Sequence, residues 1–520
     1  MSLVSEQFFL FISTVLVLYY LIPRKFQWIL LLLASYGFYL SWSLKGAVYL
    51  LVTTITVFGA SLLIYQLQNK SIKLLKENPR FDYRKRQQLQ TAIKIFTLTL
   101  NLGILFFFKY YNYFATRINV FEGIELKFFD LIMPLGISFY TFQSVGYLID
   151  VSREKVTPDT NIAKFALFIS FFPQILQGPI SRHSDLANQL YSGHEFDYIS
   201  VKNGLLRILW GYFKKLVVAD RAAILVKNVL GNYQIYEGFE LFIGMIVFML
   251  QIYADFSGGI DIAIGIAQCM GINLAENFRR PHFAASVEEY WRRWHMTLGG
   301  WMKEYVFYPL ALSKPFTKLG RFSRKILGNY LGKLLPTSLA MIIVFLLVGA
   351  WHGASLKNIA FGLYNGFWIV LAIIVNPLLK KLNESKFHIN TSVFSWRFLN
   401  ISITFMIILV SKVFGIAPSL KISLEIIQRM ITSFNPWILT DGTLVTLGLN
   451  TANLIVLTLS AGVLIFVSVM QESGVALRDT LAKQNVYFRW AFYICSVLVI
   501  LIFGVYGVSY NAADFFYMQY

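Results

Sequence analysis

Two histidines in this 520-residue chain stand beside tryptophans and close to segments long enough to cross a bilayer. His295 lies in Tyr290-Trp291-Arg292-Arg293-Trp294-His295-Met296-Thr297-Leu298, and His352 in Gly349-Ala350-Trp351-His352-Gly353. Imidazole is the side chain that both accepts and delivers a proton near neutral pH, and apolar surroundings keep it neutral by lowering its pKa. His352 follows the apolar run 341–348, and its flanking glycines allow close approach by a substrate. A plain alternative is a histidine hydrogen-bonded between helices, although ionisable groups at membrane depth are functional suspects by default. Around His295, two cations and two tryptophans equally describe an interfacial belt. In the functional reading, Arg292 and Arg293 grip a phosphate or carboxylate of a cytoplasmic donor with guanidinium forks. His295 then sits deeper and assists at the reacting centre.

Two acids belong to the same constellation: Tyr253-Ala254-Asp255-Phe256-Ser257-Gly258-Gly259-Ile260-Asp261 places Asp255 and Asp261 in apolar surroundings. A charge there is costly unless paired or wetted, so one or both are expected to line an aqueous tunnel or to hold an imidazole. Their spacing does not put them on one helix face, which points to different roles. His183, His295, His352 and these acids lack the His-x-x-His and His-Glu-x-x-His spacings, so no metal is expected. A histidine reached from both sides of a membrane suits acyl transfer. The imidazole takes the proton of a hydroxyl as it attacks a thioester carbonyl. Indole N–H groups, arginine or the second imidazole stabilise the oxyanion, and exclusion of water limits hydrolysis. The residues alone do not separate this chemistry from a transporter whose histidine relays protons.

The elements that must position these groups are spans. The chain is 57% hydrophobic and 17% aromatic with only 14% charged residues, against about a quarter charged in soluble domains. Candidate apolar spans fall at 8–22, 27–42, 47–65, 95–110, 131–149, 201–219, 239–252, 334–348, 359–375, 398–410, 454–469 and 490–506. The expected fold is an all-α polytopic membrane protein with about eleven transmembrane helices plus re-entrant or interfacial helices. The first window lacks a positive leader and reads as a retained span, not a signal peptide. Net charge is +19, explained by lysine and arginine on cytoplasmic loops beside anionic lipid headgroups, not by nucleic acid. The basic stretch 68–94 is the first expected cytoplasmic loop, which places the N-terminus outside.

Within 131–149, Ser138, Thr141, Gln143 and Ser144 make a polar face that suits an interior helix. Pro173, Gly178 and Pro179 break the segment that follows, ahead of Arg182 and His183. It is either a re-entrant element lining a cavity or a span ending in a surface turn. Window 201–219 carries Arg207, Lys214 and Lys215, expected to lie at the interface or to snorkel. The 418–440 region reads as amphipathic and interfacial. Cys269 and Cys495 both sit in apolar runs, against a disulfide scaffold. No soluble domain or internal repeat is evident, so residues 1–520 are expected to form one integral membrane domain. Its core is about 95–380, with further helices over 396–520.

Several of these pieces together resemble the membrane-bound O-acyltransferase family. They are Met133-Pro134-Leu135-Gly136-Ile137-Ser138-Phe139-Tyr140-Thr141-Phe142-Gln143, Phe172-Pro173-Gln174 through Gly178-Pro179-Ile180-Ser181-Arg182, and Gly211-Tyr212-Phe213-Lys214-Lys215 with Ala219-Asp220. They continue with the Asp255 segment, the Trp291–Leu298 element with Trp301, and the His352 segment. Length and the aromatic tail 515–520 are similar to the family's bacterial alginate-type acetylation branch more than to its teichoic-acid D-alanylation branch. Val413-Phe414-Gly415-Ile416-Ala417 departs from the Phe-Arg-Ala segment usual in the former.

The resemblance implies a ring of helices around a central tunnel, with His352 catalytic and His295 needed for activity. Asp255, Asp261, Ser257, Trp351, Trp294, Arg292, Arg293, Gln143 and Arg182 are expected to line the substrate path. It implies a bacterial cell membrane location and no tightly bound cofactor. Acetyl-CoA or another thioester is then the acyl-donor substrate. Acetyl passes through an extracytoplasmic or membrane-anchored acetyltransferase partner to a secreted or cell-wall polysaccharide. The alternatives are D-alanyl transfer from an acyl carrier protein and, last, transport without covalent chemistry.

Overall fold

The computed structural model describes residues 3–78, 82–122, 126–129 and 133–506. Leu131 of the expected fifth window and the aromatic tail 515–520 lie outside them. The described chain is helical almost throughout, and its β-structure amounts to one antiparallel bridge between Phe278 and Trp294. Eight helices among the described residues are long and apolar enough to cross a membrane: Leu44–Glu77, Arg84–Val120, Gly238–Cys269, Lys314–His352, Leu356–Lys386, Phe394–Ile416, Thr451–Glu472 and Val486–Phe503. The protein is therefore an all-α, multi-pass membrane protein.

About eleven spans were expected, and the shortfall has local causes. Helices Glu6–Leu21, Arg24–Leu40 and Ile137–Ser152 hold 16, 17 and 16 residues. Ile137–Ser152 is buried along nearly its whole length, so its polar residues meet protein. Window 201–219 is helix Tyr198–Tyr212 followed by a π-helical turn, Phe213–Ala219.

The basic stretch 68–94 is mostly helix, not loop. Lysine, glutamine and leucine are good helix formers, and they extend Leu44–Glu77 to 34 residues. At 1.5 Å per residue that is about 50 Å, well beyond about 30 Å of hydrocarbon. Lys70, Lys73 and Lys76 ride on this extension.

The described chain divides into two compact units, Met1–Ile208 with Ile260–Ala275, and Leu209–Gly259 with Glu276–Tyr520. In the first, the proline-broken segment forms three short helices, Ile162–Ser170, Phe172–Gln177 and His183–Tyr191. Phe165, Phe168, Phe171, Phe172, Gln174 and Gln177 are all buried, so this is an interrupted interior element and not a surface turn. His183 Nε2 lies 2.8 Å from Asp159 Oδ2, which also accepts the Tyr191 hydroxyl at 2.6 Å.

In the second unit, Lys314–His352 is interrupted at Gly328 (φ 74°) and then runs to the histidine that ends it. Gly353, at φ 149° and ψ 165°, turns the chain into Leu356–Leu382. The two helices meet backbone to backbone. A β-carbon on Gly349 would stand 2.2 Å from the Asn358 carbonyl oxygen, and one on Gly362 would stand 2.4 Å from that of Phe345. Only glycine permits that approach. Helix Leu420–Thr432 follows the next span, carrying buried Ser423 and Ile426 beside exposed Leu424 and Ile431, an amphipathic pattern.

Candidate active site

The glycine seam sets His352 at the mouth of a helical hairpin. Its ring packs 4.8 Å from Trp351 and 5.5 Å from Phe361, and it is partly exposed while Trp351 is buried. The Trp351 ring in turn lies 6.1 Å from that of His295. His295, Trp294, Trp351 and His352, separated in sequence, thus form one aromatic cluster in the second unit.

His295 occupies left-handed backbone, φ 46° and ψ 54°, between helices Val287–Arg293 and Met296–Met302. A bulky residue holds this conformation only where its surroundings fix it. Here Asn277, fully buried, does so. The Asn277 carbonyl accepts from Met296 N–H at 2.9 Å, and its Oδ1 accepts from Thr297 N–H at 3.1 Å and Thr297 Oγ1 at 2.9 Å. His295 Nδ1 lies 3.2 Å from the same Oδ1. Because a backbone N–H already marks that atom as oxygen, Nδ1 must be the donor, and Nε2 keeps the lone pair. Burial, and then the charge of Lys412, push the His295 pKa down to about 3. The imidazole is therefore neutral, with its basic nitrogen assigned.

Lys412, from helix Phe394–Ile416, escaped the sequence reading. Its Nζ stands 4.2 Å over the Trp294 ring centroid and 5.7, 5.9 and 5.9 Å from those of Trp291, Tyr290 and Phe361. His282 was missed as well. It packs against Tyr253 at 5.2 Å and Phe405 at 5.9 Å, and burial, followed by the Lys412 charge, takes its pKa down to about 4. Trp291 places its indole Nε1–H in a buried position without a hydrogen-bond partner among the described residues. A lone lysine in an apolar run was the signal for Lys412; Asn277 had none.

Arg293 and Arg292 part company. Arg293 Nη2 meets Glu289 at 2.6 Å, and its two Nη atoms meet Glu472 at 3.0 Å each. Glu472 also takes Arg280 at 2.8 Å and Arg397 at 2.9 Å. Arg293 is thus ion-paired within the protein. Arg292 stays exposed, 3.8 Å from Glu288.

Asp255 and Ser257 also have partners within the protein. Lys215 Nζ binds Asp255 at 2.6 Å and Asp220 at 2.9 Å, while Lys214 Nζ donates to Ser257 Oγ at 2.8 Å. Both lysines are buried, so they neither snorkel nor lie at an interface. In the first unit Arg207 Nε meets Asp261 at 2.8 Å. These pairs brace helix Gly238–Cys269, because a buried charge persists only when matched. Gln143 also belongs to the first unit, donating to the Phe168 carbonyl at 2.9 Å and accepting from Gln174 at 2.8 Å. Arg182, half-buried, caps His183–Tyr191 there. Among the described residues no three His, Cys, Asp or Glu side chains are grouped to hold a metal ion.

Residues 151–413 match the model of the membrane-bound O-acyltransferase family. The chain is 30% identical over 454 residues to the probable alginate O-acetylase AlgI of Pseudomonas syringae, covering 86% of this chain and 78% of that protein. It is 30% identical over 429 residues to the peptidoglycan O-acetyltransferase of Helicobacter pylori, covering 77% and 73%. Similarity to the teichoic acid D-alanyltransferase of Bacillus subtilis is 28% over 250 residues, covering 45% and 58%.

Proposed function

Since the chain belongs to the membrane-bound O-acyltransferase family, we propose that it carries an acetyl group from a cytoplasmic thioester to the opposite side of the membrane. The acetyl group ends on a hydroxyl of a secreted or cell-wall polysaccharide, through a partner acetyltransferase. Relatives named for O-acetylation of alginate and peptidoglycan support this destination over D-alanyl transfer, where the shared region is shorter.

The observation that carries the reading is His352 on its glycine-sealed hairpin, one ring from His295 across Trp351. His352 takes the proton of the attacking hydroxyl while its oxygen forms a bond to the thioester carbonyl carbon. The carbon–sulfur bond then breaks, and the imidazolium returns the proton to the departing thiolate. His295 accepts through Nε2 in its assigned tautomer, so it orients a hydroxyl and does not donate to the oxyanion. That donor is the buried Trp291 indole. Arg292 is the cation left to meet an anionic group on the donor.

The test supplies membranes with labelled acetyl thioester and, separately, labelled D-alanyl carrier protein, then follows each label to the surface polymer. Acetyl label is expected there and should vanish in His352→Ala. Arrival of D-alanyl label alone would transfer the assignment to the second activity. Normal transfer by the variant would remove His352 from the mechanism.

A further inference from the structure

We propose that Glu472 is a positioning residue for the acyl-transfer site, the carboxylate that holds the loop carrying His295 in its working shape. The inference rests on the acyl-transfer reading and deepens it. Residues 277–295 fold back on themselves through the bridge between Phe278 and Trp294, where Arg279 N–H donates to the Arg293 carbonyl at 2.9 Å. Among the described residues, four non-glycine residues hold left-handed backbone, and two of them, Arg280 at φ 49° and His295 at φ 46°, stand in this loop. Such backbone persists only where its surroundings over-determine it. Asn277 secures the loop at His295, and Glu472 secures it from the other side.

Glu472 ends helix Thr451–Glu472 and reaches both arms of the loop. Its Oε2 accepts from Arg280 Nε at 2.8 Å and from Arg293 Nη1 at 3.0 Å, while Oε1 accepts from Arg293 Nη2 at 3.0 Å. The grip on Arg293 is a two-pronged carboxylate–guanidinium pair, which fixes direction as well as distance. Arg293 is separated from His295 by Trp294 alone, so a shift of its backbone passes directly to the imidazole. Glu289 also pairs with Arg293, but it belongs to the loop itself and offers no outside anchor. Glu472 further takes Arg397 of helix Phe394–Ile416 at 2.9 Å, which ties the loop to two spans at once. The carboxylate and both loop arginines are 14 to 18% exposed, against 54% for Arg397. Shielded charge stranded without its partner is strongly unfavourable. Without Glu472 the loop arginines must therefore turn toward water, and the two left-handed residues move with them. Glu472 lies beyond the stretch 151–413 that matches the family model, so a late helix takes part in shaping the site.

The test uses the full chain in lipid vesicles and two readouts. Diethyl pyrocarbonate, which acylates accessible neutral imidazoles, is mapped by peptide mass at His295, with His183 of the first unit as reference. Thiol release from acetyl-CoA, with a short oligosaccharide as hydroxyl acceptor, gives kcat and KM per folded molecule. Glu472→Gln should speed modification of His295 by about fivefold or more, with His183 unchanged. It should also lower kcat by about tenfold or more while KM for the donor moves less than about twofold. Arg397→Gln removes a similarly close partner of Glu472 that is not on the loop, and should leave both readouts near wild type. Unchanged modification or kcat in Glu472→Gln, a change confined to KM, faster modification at both histidines, or an equal response in Arg397→Gln overturns the role of Glu472 and leaves acyl transfer standing. If Glu472→Gln fails to insert, Arg280→Gln is read by the same criteria. Absence of thiol release from the wild-type chain overturns the acyl-transfer reading, and this inference with it.

Discussion

Asn277 holds His295 by its Nδ1 at 3.2 Å, and that contact decides which ring nitrogen is basic. The amide oxygen is pinned as an acceptor by Thr297 N–H. Asn277→Leu removes the acceptor that Thr297 N–H and Nδ1 share. Destabilisation of about 1–3 kcal/mol is expected, with transfer falling beyond what the loss of folded protein explains. Turnover per folded molecule, counted by size-exclusion in detergent, checks this. Unchanged turnover would mean that the tautomer of His295 is irrelevant.

If His352 is the base, its loss should cost more. His352→Ala is expected to lower transfer by about 10²–10⁴-fold, the usual worth of a positioned base, with membrane insertion unchanged. Initial rates from labelled acetyl thioester give the number.

Trp291→Phe deletes one N–H and little else. If this indole meets the oxyanion, kcat should drop by about 10²-fold or more while KM for the donor moves little. A rise in KM alone would place Trp291 in ground-state binding instead.

Acid should destabilise the protein through its buried imidazoles. The folded pKa of His295 is about 3 and that of His282 about 4, both depressed from 6.5. As pH falls below 6.5 the unfolded chain takes up protons that the folded one refuses, so stability present above that pH is lost progressively toward 4 and then 3. Thermal unfolding in detergent should show a Tm flat above pH 7 and falling below it. His282→Gln should shallow that slope.

The buried lysine–acid group offers a structural control. Lys215→Met leaves Asp255 and Asp220 facing each other's charge in the interior, and about 3–5 kcal/mol should be lost. Lys215→Met with Asp255→Leu should recover part of it, read as yield of monodisperse protein.

Much of this was legible in the sequence because lipid imposes simple rules. Apolar runs around Leu44–Glu77 and Lys314–His352 are spans since nothing else satisfies a backbone in hydrocarbon. The two tryptophan-flanked histidines stood out for the same reason. Partners brought together by folding were not legible. The partner of Asp255 was hidden because Lys215 lies 40 positions away, and that of Arg293 because Glu472 is 179 positions distant. Charge misled in the other direction at 68–94, where a basic stretch was read as loop although its residues favour helix. Lys412 hid in an apolar run whose average hydropathy outweighed one cation.

The seam at Gly349 and Gly362 carries a mechanical corollary. With two backbones pressed together there is no slack for the helices to slide or roll, since interiors at this spacing do not deform continuously. The imidazole at the hairpin tip is thus carried on a stationary element. If His352 is the base of a transfer from one face to the other, the motion that admits a donor belongs to elements that pack around the hairpin, and the cycle would run past a fixed anvil.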